Sequence, residues 1–303
     1  MALNLHQLRT FALVVRLGGL GAAARASGVS QPSLSRALRE LEAHVGHRLV
    51  ERGARGVRPT PLGLQLFEHA QSIVTAEREA ERLLVAAHGT PHGVLHVGAS
   101  TTIATYIVPT VLSRFSETHP GIDVRLTSAH TRVLVRMLHQ FEIDLALAEA
   151  PPNDPRVLAT PWMSDDMIVI ASSNHRLRHA RGLPVSALAS ERFILREEAS
   201  GTRDIVLRGL ADAGLVPQAS IAVDGTEVMK QLVALGFGIA MVSRHAIVDQ
   251  LSSARVCILD VPALRIRRPF TALSLPGRKR TSDADAFYTL LCSSVAHRSS
   301  AAP

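Results

Sequence analysis

Two hydrophobic periods divide this chain of 303 residues. Up to about Gly89, apolar residues recur three and four apart, the spacing of one helix face. Beyond GTPHG (Gly89 to Gly93), short strand-like runs alternate with helical ones. One layer around one core cannot satisfy both patterns. They predict a helical N-terminal part followed by an α/β body, and the length separately argues for two or three domains. Hydrophobic residues make up 47% and charged residues 19%, as in globular chains. No apolar run is long enough to span a bilayer. The start, MALNLHQLRTF, has no basic region followed by an apolar stretch, so a cytoplasmic location is expected. Cys257 and Cys292 lie far apart without a partner motif and read as buried free thiols, a redox pair being the alternative.

Charge is distributed unevenly. Residues 1–60 hold nine Arg against Glu40, Glu42 and Glu51, which leaves +1 of the net +7 for the remainder of the chain. A compact basic module on a neutral body suits a polyanionic partner. In that module Leu5, Leu8, Phe11, Ala12 and Val15 fall on one helical stripe that ends at Gly18-Gly19. An alanine-rich helix from Leu20 to Ser27 follows, stopped by Gly28. Ser30 then caps a third helix in which Leu34, Leu38 and Leu41 repeat, and Pro32 is tolerated in its first turn. Two short helices joined by a tight glycine turn, covered by a preceding helix, make a helix-turn-helix.

The third helix begins Gln31, Pro32, Ser33, with Ser35 and Arg36 behind, and carries no acid there. Surface helices usually place carboxylates at that positive dipole end. An uncharged first turn fits an end that enters the DNA major groove and meets phosphate. Gln31 can pair with adenine or a backbone oxygen, Arg36 can fork onto guanine or phosphate, and the two serines are short enough to approach. Downstream, Arg52, Arg55 and Arg58 flank Gly53 and Gly56, the pattern of a hairpin wing beside the minor groove.

LHQLRTF, AAARASGVSQPSLSRALRELE and VGHRLVERGARGVRPTPLG together resemble the DNA-binding domain of the LysR-type transcriptional regulators, without a gap. By position the resemblance assigns Gln31, Pro32, Ser35 and Arg36 to the recognition helix and Arg52 and Arg55 to the wing. The family usually has hydroxyl residues around the start of the second helix, where this chain has Gly19 and Gly21.

From Pro61 to about Gly89 the sequence reads as one long helix with Leu62, Leu66, Ala70, Ile73, Ala76, Ala80, Leu83 and Leu84 along a seam. A lone helix cannot bury such a seam, so a partner helix is expected. The resemblance makes it a dimerising linker, in a homodimer or homotetramer that presents paired recognition helices to an inverted-repeat promoter site. The implied organisation is a winged helix-turn-helix (1–60), a linker helix (61–89) and an α/β effector-binding domain like a periplasmic binding protein (93–303). That last domain divides into lobe I (about 93–162 and 268–303) and lobe II (about 163–267). The resemblance makes the protein a regulator whose promoter binding is gated by a small anionic metabolite between the lobes. RNA polymerase is left open as a further partner. Largely parallel sheets are expected.

In such sheets ligands bind beyond the carboxyl ends of strands. Ser100, Thr101 and Thr102 follow the first strand of the body and open a helix, and Thr131 opens the next one on the same edge. Glu149 ends the strand LALAEA, where it could pair with Arg203 or a ligand amine, or be solvated. Ser200, Gly201 and Thr202, and separately Thr226, begin helices of the second lobe. Hydroxyls beside free N–H groups suit a carboxylate, sulfate or phosphate. These stretches resemble the family branch that includes regulators of carbon-fixation and sulfur-assimilation operons, in which EGPP and REEGSGTR are common. Here Ala150 and Ala199 replace the glycines, so that a methyl is expected to narrow the cleft or forbid a positive φ.

An enzyme is opposed by the lack of a Walker loop, a Gly-x-Ser-x-Gly elbow and a His-Glu-x-x-His helix, and no catalytic residue, metal ligand set or cofactor is expected. His44 and His47 lack further ligands to complete a metal site. A solute-binding protein is opposed by the basic helix-turn-helix. An RNA-binding module is opposed by the scarcity of aromatic residues in the basic region.

Overall fold

The structure is a computed structural model that describes residues 3–53, 56–87, 93–217, 219–276 and 280–299. The chain divides into two compact units, Met1–His92 and Gly93–Pro303.

In the first unit, helices α1 (Leu5–Arg16), α2 (Leu20–Ser27) and α3 (Gln31–Val45) precede a hairpin of β1 (Val50–Gly53) and β2 (Gly56–Pro59) and a long helix α4 (Pro61–Ala87). Leu8, Phe11, Val14, Ala23, Leu38, Leu41 and Leu49 are fully buried and form its core with Phe67 and Ala70 of α4. The helix ends follow their sequence signals. Asn4 accepts from the His6 N–H to cap α1, and the Ser30 hydroxyl accepts from the Ser33 N–H to cap α3. Gly28 and Gly46 close α2 and α3 in the left-handed conformation. Gly19 starts α2 with no side-chain cap. The wing is fixed at its base: Glu42 accepts from the Leu49 and Val50 N–H groups, and the Val57 N–H donates to the Gly18 carbonyl. That approach requires glycine at position 56, where φ is +106° and an added Cβ would lie 2.3 Å from the Gly18 oxygen.

The second unit runs β3 (Gly93–Ala99), α5 (Thr101–Tyr106), α6 (Val108–Thr118), β4 (Ile122–Ser128), α7 (Thr131–His139), β5 (Leu145–Ala148) and β6 (Leu158–Ser172). It continues with β7 (Arg192–Arg196), α8 (Gly201–Asp212), β8 (Ala219–Val223), α9 (Thr226–Ala234), β9 (Ala240–Ser243), α10 (Val248–Ser252), β10 (Val256–Leu259), β11 (Ile266–Ser274) and α11 (Ser282–Ser299). The stretch expected as one helix after Ser100 is two: α5 ends at Tyr106 and α6 starts at Val108, with Pro109, which has no N–H to continue the ladder, in its first turn.

Two lobes share one curled sheet. Its strand order is β10-β6-β11-β5-β3-β4, with β9 also paired to β6. Pairings β3–β4, β3–β5 and β7–β8 are parallel, whereas β6 and β11 pair antiparallel with each other and with their other neighbours. The expectation of largely parallel sheets is therefore corrected to a mixed arrangement. One strand carries the chain from lobe I into lobe II and another brings it back, so the two must run in opposite directions. Their register shifts between Phe270 and Thr271, where Phe270 faces Met163 and Thr271 faces Pro161. Trp162 is the extra residue of this bulge, and a bulge bends the strand that carries it. Lobe I buries Phe115, Phe270 and Phe287 on one sheet face and Leu134 and Leu138 on the other. Lobe II buries Phe193 and Leu210 on one side and Met229 and Val242 on the other.

Candidate functional site

In the first unit the surface that includes the start of α3 is open. Gln31, Pro32, Ser33 and Arg36 are exposed and Ser35 is half-buried, while Leu34, Ala37, Leu38 and Leu41 on the opposite face are buried. The first turn of α3 holds no acidic residue. The Ser33 hydroxyl lies 2.8 Å from that of Ser30 and completes the cap. Arg36 leans 3.3 Å from Glu40, one turn on, with 79% of its side chain exposed. So weak a tether leaves it available. Arg52 of the wing donates to the Ser35 hydroxyl at 3.2 Å. The wing and α3 thus form one basic surface. Arg55 lies outside the described residues.

Helix α4 turns Phe67, Ala70 and Gln71 inward, and Arg9 of α1 pairs with Glu77. Ala70 therefore belongs to the unit's own core. Leu62, Ile73, Ala76, Ala80 and Leu84 of the same helix face outward. Leu62, Ile73 and Leu84 stand eleven residues apart, three helical turns, and so share one exposed line.

In the second unit the sequence-selected hydroxyls fall into two groups. The central one is built on Glu149, which is 7% exposed. Its Oε1 accepts from the Thr102 N–H at 3.1 Å. Its Oε2 accepts from the Thr202 hydroxyl at 2.5 Å and from Arg268 Nη1 at 2.7 Å. Lobe I thus supplies the carboxylate, lobe II supplies the hydroxyl, and the crossover strand β11 supplies the guanidinium. Of the alternatives open for Glu149, pairing with Arg203 is not found: Arg203 donates to the Arg196 carbonyl at 2.8 Å. Burial alone would raise the Glu149 carboxyl, but the Arg268 charge and the Thr202 and Thr102 donors outweigh it and hold it at about 2. Arg268 also reaches Asp165 through Nε at 2.8 Å, and Asp165 accepts from Ser243. Ser100, two residues before Thr102, is buried, and its hydroxyl has no hydrogen-bond partner.

The second group surrounds Arg196. Its guanidinium holds Glu197 through two contacts of 2.7 Å and donates to the Thr226 hydroxyl at 3.0 Å. His130, next to Thr131, stands 3.6 Å from Glu197 across the lobes. Tyr106 donates to Glu227 at 2.6 Å, a second cross-lobe contact, and Glu227 pairs with the buried Lys230. Burial and this hydrogen bond raise the Tyr106 hydroxyl's pKa. Thr101 and Thr131 are half-buried at their helix starts.

Ala150 and Ala199 do not need the glycine conformation. Among the described residues the non-glycine positions with positive φ are Phe141 and Ala254. A hollow of about 370 Å³ lies at the hinge, lined by Pro161, Trp162, Met163, Ser164, Arg267, Arg268 and Pro269. It takes in none of the selected hydroxyls. Sequence reasoning missed Arg268 and Asp165. The pairs Asp165-Asp166 and Arg267-Arg268 become partners only through the antiparallel register of β6 and β11, which brings Arg268 to Asp165 and Arg267 to Asp166.

Comparison with known proteins covers both units. Residues 5–64 match the family described as "Bacterial regulatory helix-turn-helix protein, lysR family", and residues 88–295 match "LysR substrate binding domain". The RuBisCO operon transcriptional regulator of Allochromatium vinosum is 32% identical over 296 residues, 98% of each chain. Full-length OxyR from Pseudomonas aeruginosa superimposes with a TM-score of 0.75 at 21% identity, covering 97% of this chain and 95% of that one, a likeness of fold. The regulatory domain of CcmR from Synechocystis PCC6803, solved in complex with 2-PG, gives a TM-score of 0.63 at 27% identity over 67% of this chain and 98% of its own. Among the described residues no helix is long and apolar enough to cross a membrane.

Proposed function

The chain belongs to the LysR family of bacterial helix-turn-helix transcriptional regulators, with an effector-binding domain, and we propose that a small anion bound between its lobes gates its hold on an inverted-repeat promoter site. The observation that carries the DNA half is the first turn of α3: exposed, capped by Ser30, and free of acid. Gln31, Pro32, Ser33, Ser35 and Arg36 contact the major groove, and Arg52 and Arg55 of the wing contact the backbone or minor groove. The outward line Leu62, Ile73 and Leu84 on α4 pairs with a second copy, in a homodimer or homotetramer. The location is cytoplasmic, and RNA polymerase is a further partner of the promoter-bound form.

The unpartnered Ser100 hydroxyl supports the ligand half. Ser100, Thr101, Thr102, Thr131, Glu149, Thr202 and Thr226 form the effector site. Effector changes the relation of the lobes, and the population of promoter-competent protein shifts with it.

Fluorescence anisotropy on DNA from upstream of the gene tests both halves. Arg36→Ala should weaken specific binding about 5- to 150-fold, in line with about 1–3 kcal/mol for a base contact, and leave the thermal midpoint unchanged. Unchanged affinity removes α3 from the interface. A panel of small anions, with 2-PG among them, should change wild-type binding and fail to change Thr101→Val. A panel response that survives in Thr101→Val places the effector elsewhere.

A further inference from the structure

Arg268 is 3% exposed and sits where the two lobes meet. Three of its features belong together. Its Nη2 has no hydrogen-bond partner, and neither does the buried hydroxyl of Ser100, two residues from Thr102. Its Nη1 is shared between Glu149 Oε2 at 2.7 Å and Thr202 Oγ1 at 3.0 Å. Its remaining nitrogen, Nε, is held by Asp165. A guanidinium matches a carboxylate or phosphate best through two parallel N–H donors. Glu149 takes only one side of this fork and leaves the other unused. A buried donor with nothing to donate to is uncommon in a native interior and calls for an explanation.

We propose that the terminal nitrogens of Arg268 are an anion subsite of the effector unit, filled in this structure by the chain's own Glu149, and that a ligand carboxylate or phosphate takes the fork by displacing it. The ligand engages Nη1 and Nη2 together, and the Ser100 hydroxyl donates to it. Asp165 stays on Nε and keeps Arg268 in place, supported by Ser243. Displacement has a mechanical consequence. Glu149 bonds Thr202 of lobe II while it accepts from Thr102 of lobe I. Once off Arg268, its charge has to reach water, which requires the lobes to part at this point. Ligand binding and lobe separation are therefore one event. The physiological use of the subsite rests on the reading that the effector is an anion, but the subsite itself can be tested without effector or DNA.

The test replaces the internal anion by an external one. In full-length Glu149→Ala, sodium formate should raise the thermal midpoint followed by the fluorescence of Trp162, the single tryptophan. At a hundredfold excess of formate over its dissociation constant the rise should be about 5–10 °C above that in sodium chloride of equal ionic strength. Wild type, in which formate must first displace Glu149, should respond less than Glu149→Ala at the same formate concentration, and Glu149→Ala/Arg268→Met should show no difference between the two salts. An equal response of Glu149→Ala to formate and chloride overturns the proposal, as does rescue that persists without Arg268. If Glu149→Ala folds in neither plain buffer nor chloride, it should refold in formate, and failure there also overturns the proposal. Failure of this assay leaves the Thr101→Val test of the effector reading standing, and failure of that test leaves this one intact.

Discussion

Removing Arg268 should damage the effector unit more than removing either of its carboxylate partners. Arg268 stands between Glu149 at 2.7 Å and Asp165 at 2.8 Å, and all three are buried. Charges about 4 Å apart attract by about 4 kcal/mol at an effective dielectric constant near 20. Arg268→Met removes both attractions and leaves two buried carboxylates without a counter-charge, each already withdrawn from water. Loss of one member of a buried pair costs about 3–5 kcal/mol, and here two pairs are lost together. Glu149→Gln keeps the shape, keeps an acceptor for the Thr102 N–H, and leaves Arg268 still paired with Asp165, so its cost should be nearer 1–3 kcal/mol. Urea denaturation followed by Trp162 fluorescence measures both. Trp162 lies on the crossover strand β6, so its signal reports this unit and not the first. Arg268→Met should lower the urea midpoint more than Glu149→Gln does. Equal or reversed losses would refute the argument that Arg268 is the shared centre.

Two further outcomes follow from local geometry and charge. Gly56→Ala places a Cβ against the Gly18 carbonyl at a positive φ and should cost the first unit about 1–3 kcal/mol, measured by circular dichroism during thermal melting; an unchanged melt shows that the wing is not anchored there. Glu149 titrates at about 2 in the folded chain against an ordinary 4.5, so the stability it contributes is present above the higher value and lost as pH falls through the lower one. That is about 3 kcal/mol, and Glu149→Gln should show a correspondingly shallower loss of urea midpoint with acid; equal slopes in the two proteins would refute it.

Much of the first unit is legible in its residues because its signals are local. Ser30 before Pro32, Gly28 after the alanine run, and the Leu34–Leu38–Leu41 repeat each act within one or two turns, and the structure places helix ends where they fall. In the second unit the strand runs are equally visible. Their pairing is not, because β6 meets β11 across about a hundred residues of chain. That distance hides the mixed direction of the sheet, the bulge at Trp162 and the Arg268–Asp165 contact. The break at Ile107 is a smaller case. Pro109 is visible in the sequence, but the apolar period runs through it, and the stretch reads as one helix until the backbone is seen. Glu149 marks the limit most clearly: its position at a strand end is readable from LALAEA, while its partner comes from a strand far along the chain.

The cross-lobe contacts differ in what they can control. Tyr106–Glu227 and His130–Glu197 lie toward the rim, with Glu227 58% and His130 37% exposed at their side chains. Water competes for such groups, and exposed pairs contribute about 0–1 kcal/mol. Glu149 with Thr202 and Arg268 is buried, so breaking the contact leaves the Glu149 carboxylate withdrawn from water and without a counter-charge. A ligand that touched only the rim would have little free energy with which to change the relation of the lobes. One that engages the centre acts on the contact whose loss is costly in the absence of a substitute, and an anion on Arg268 is that substitute. The same position lies beside the bulge, where β6 and β11 pass between the lobes. Charge exchange at Arg268 and bending at Trp162 are therefore adjacent on the same pair of strands, which gives a local event at the fork a direct route to the angle between the lobes.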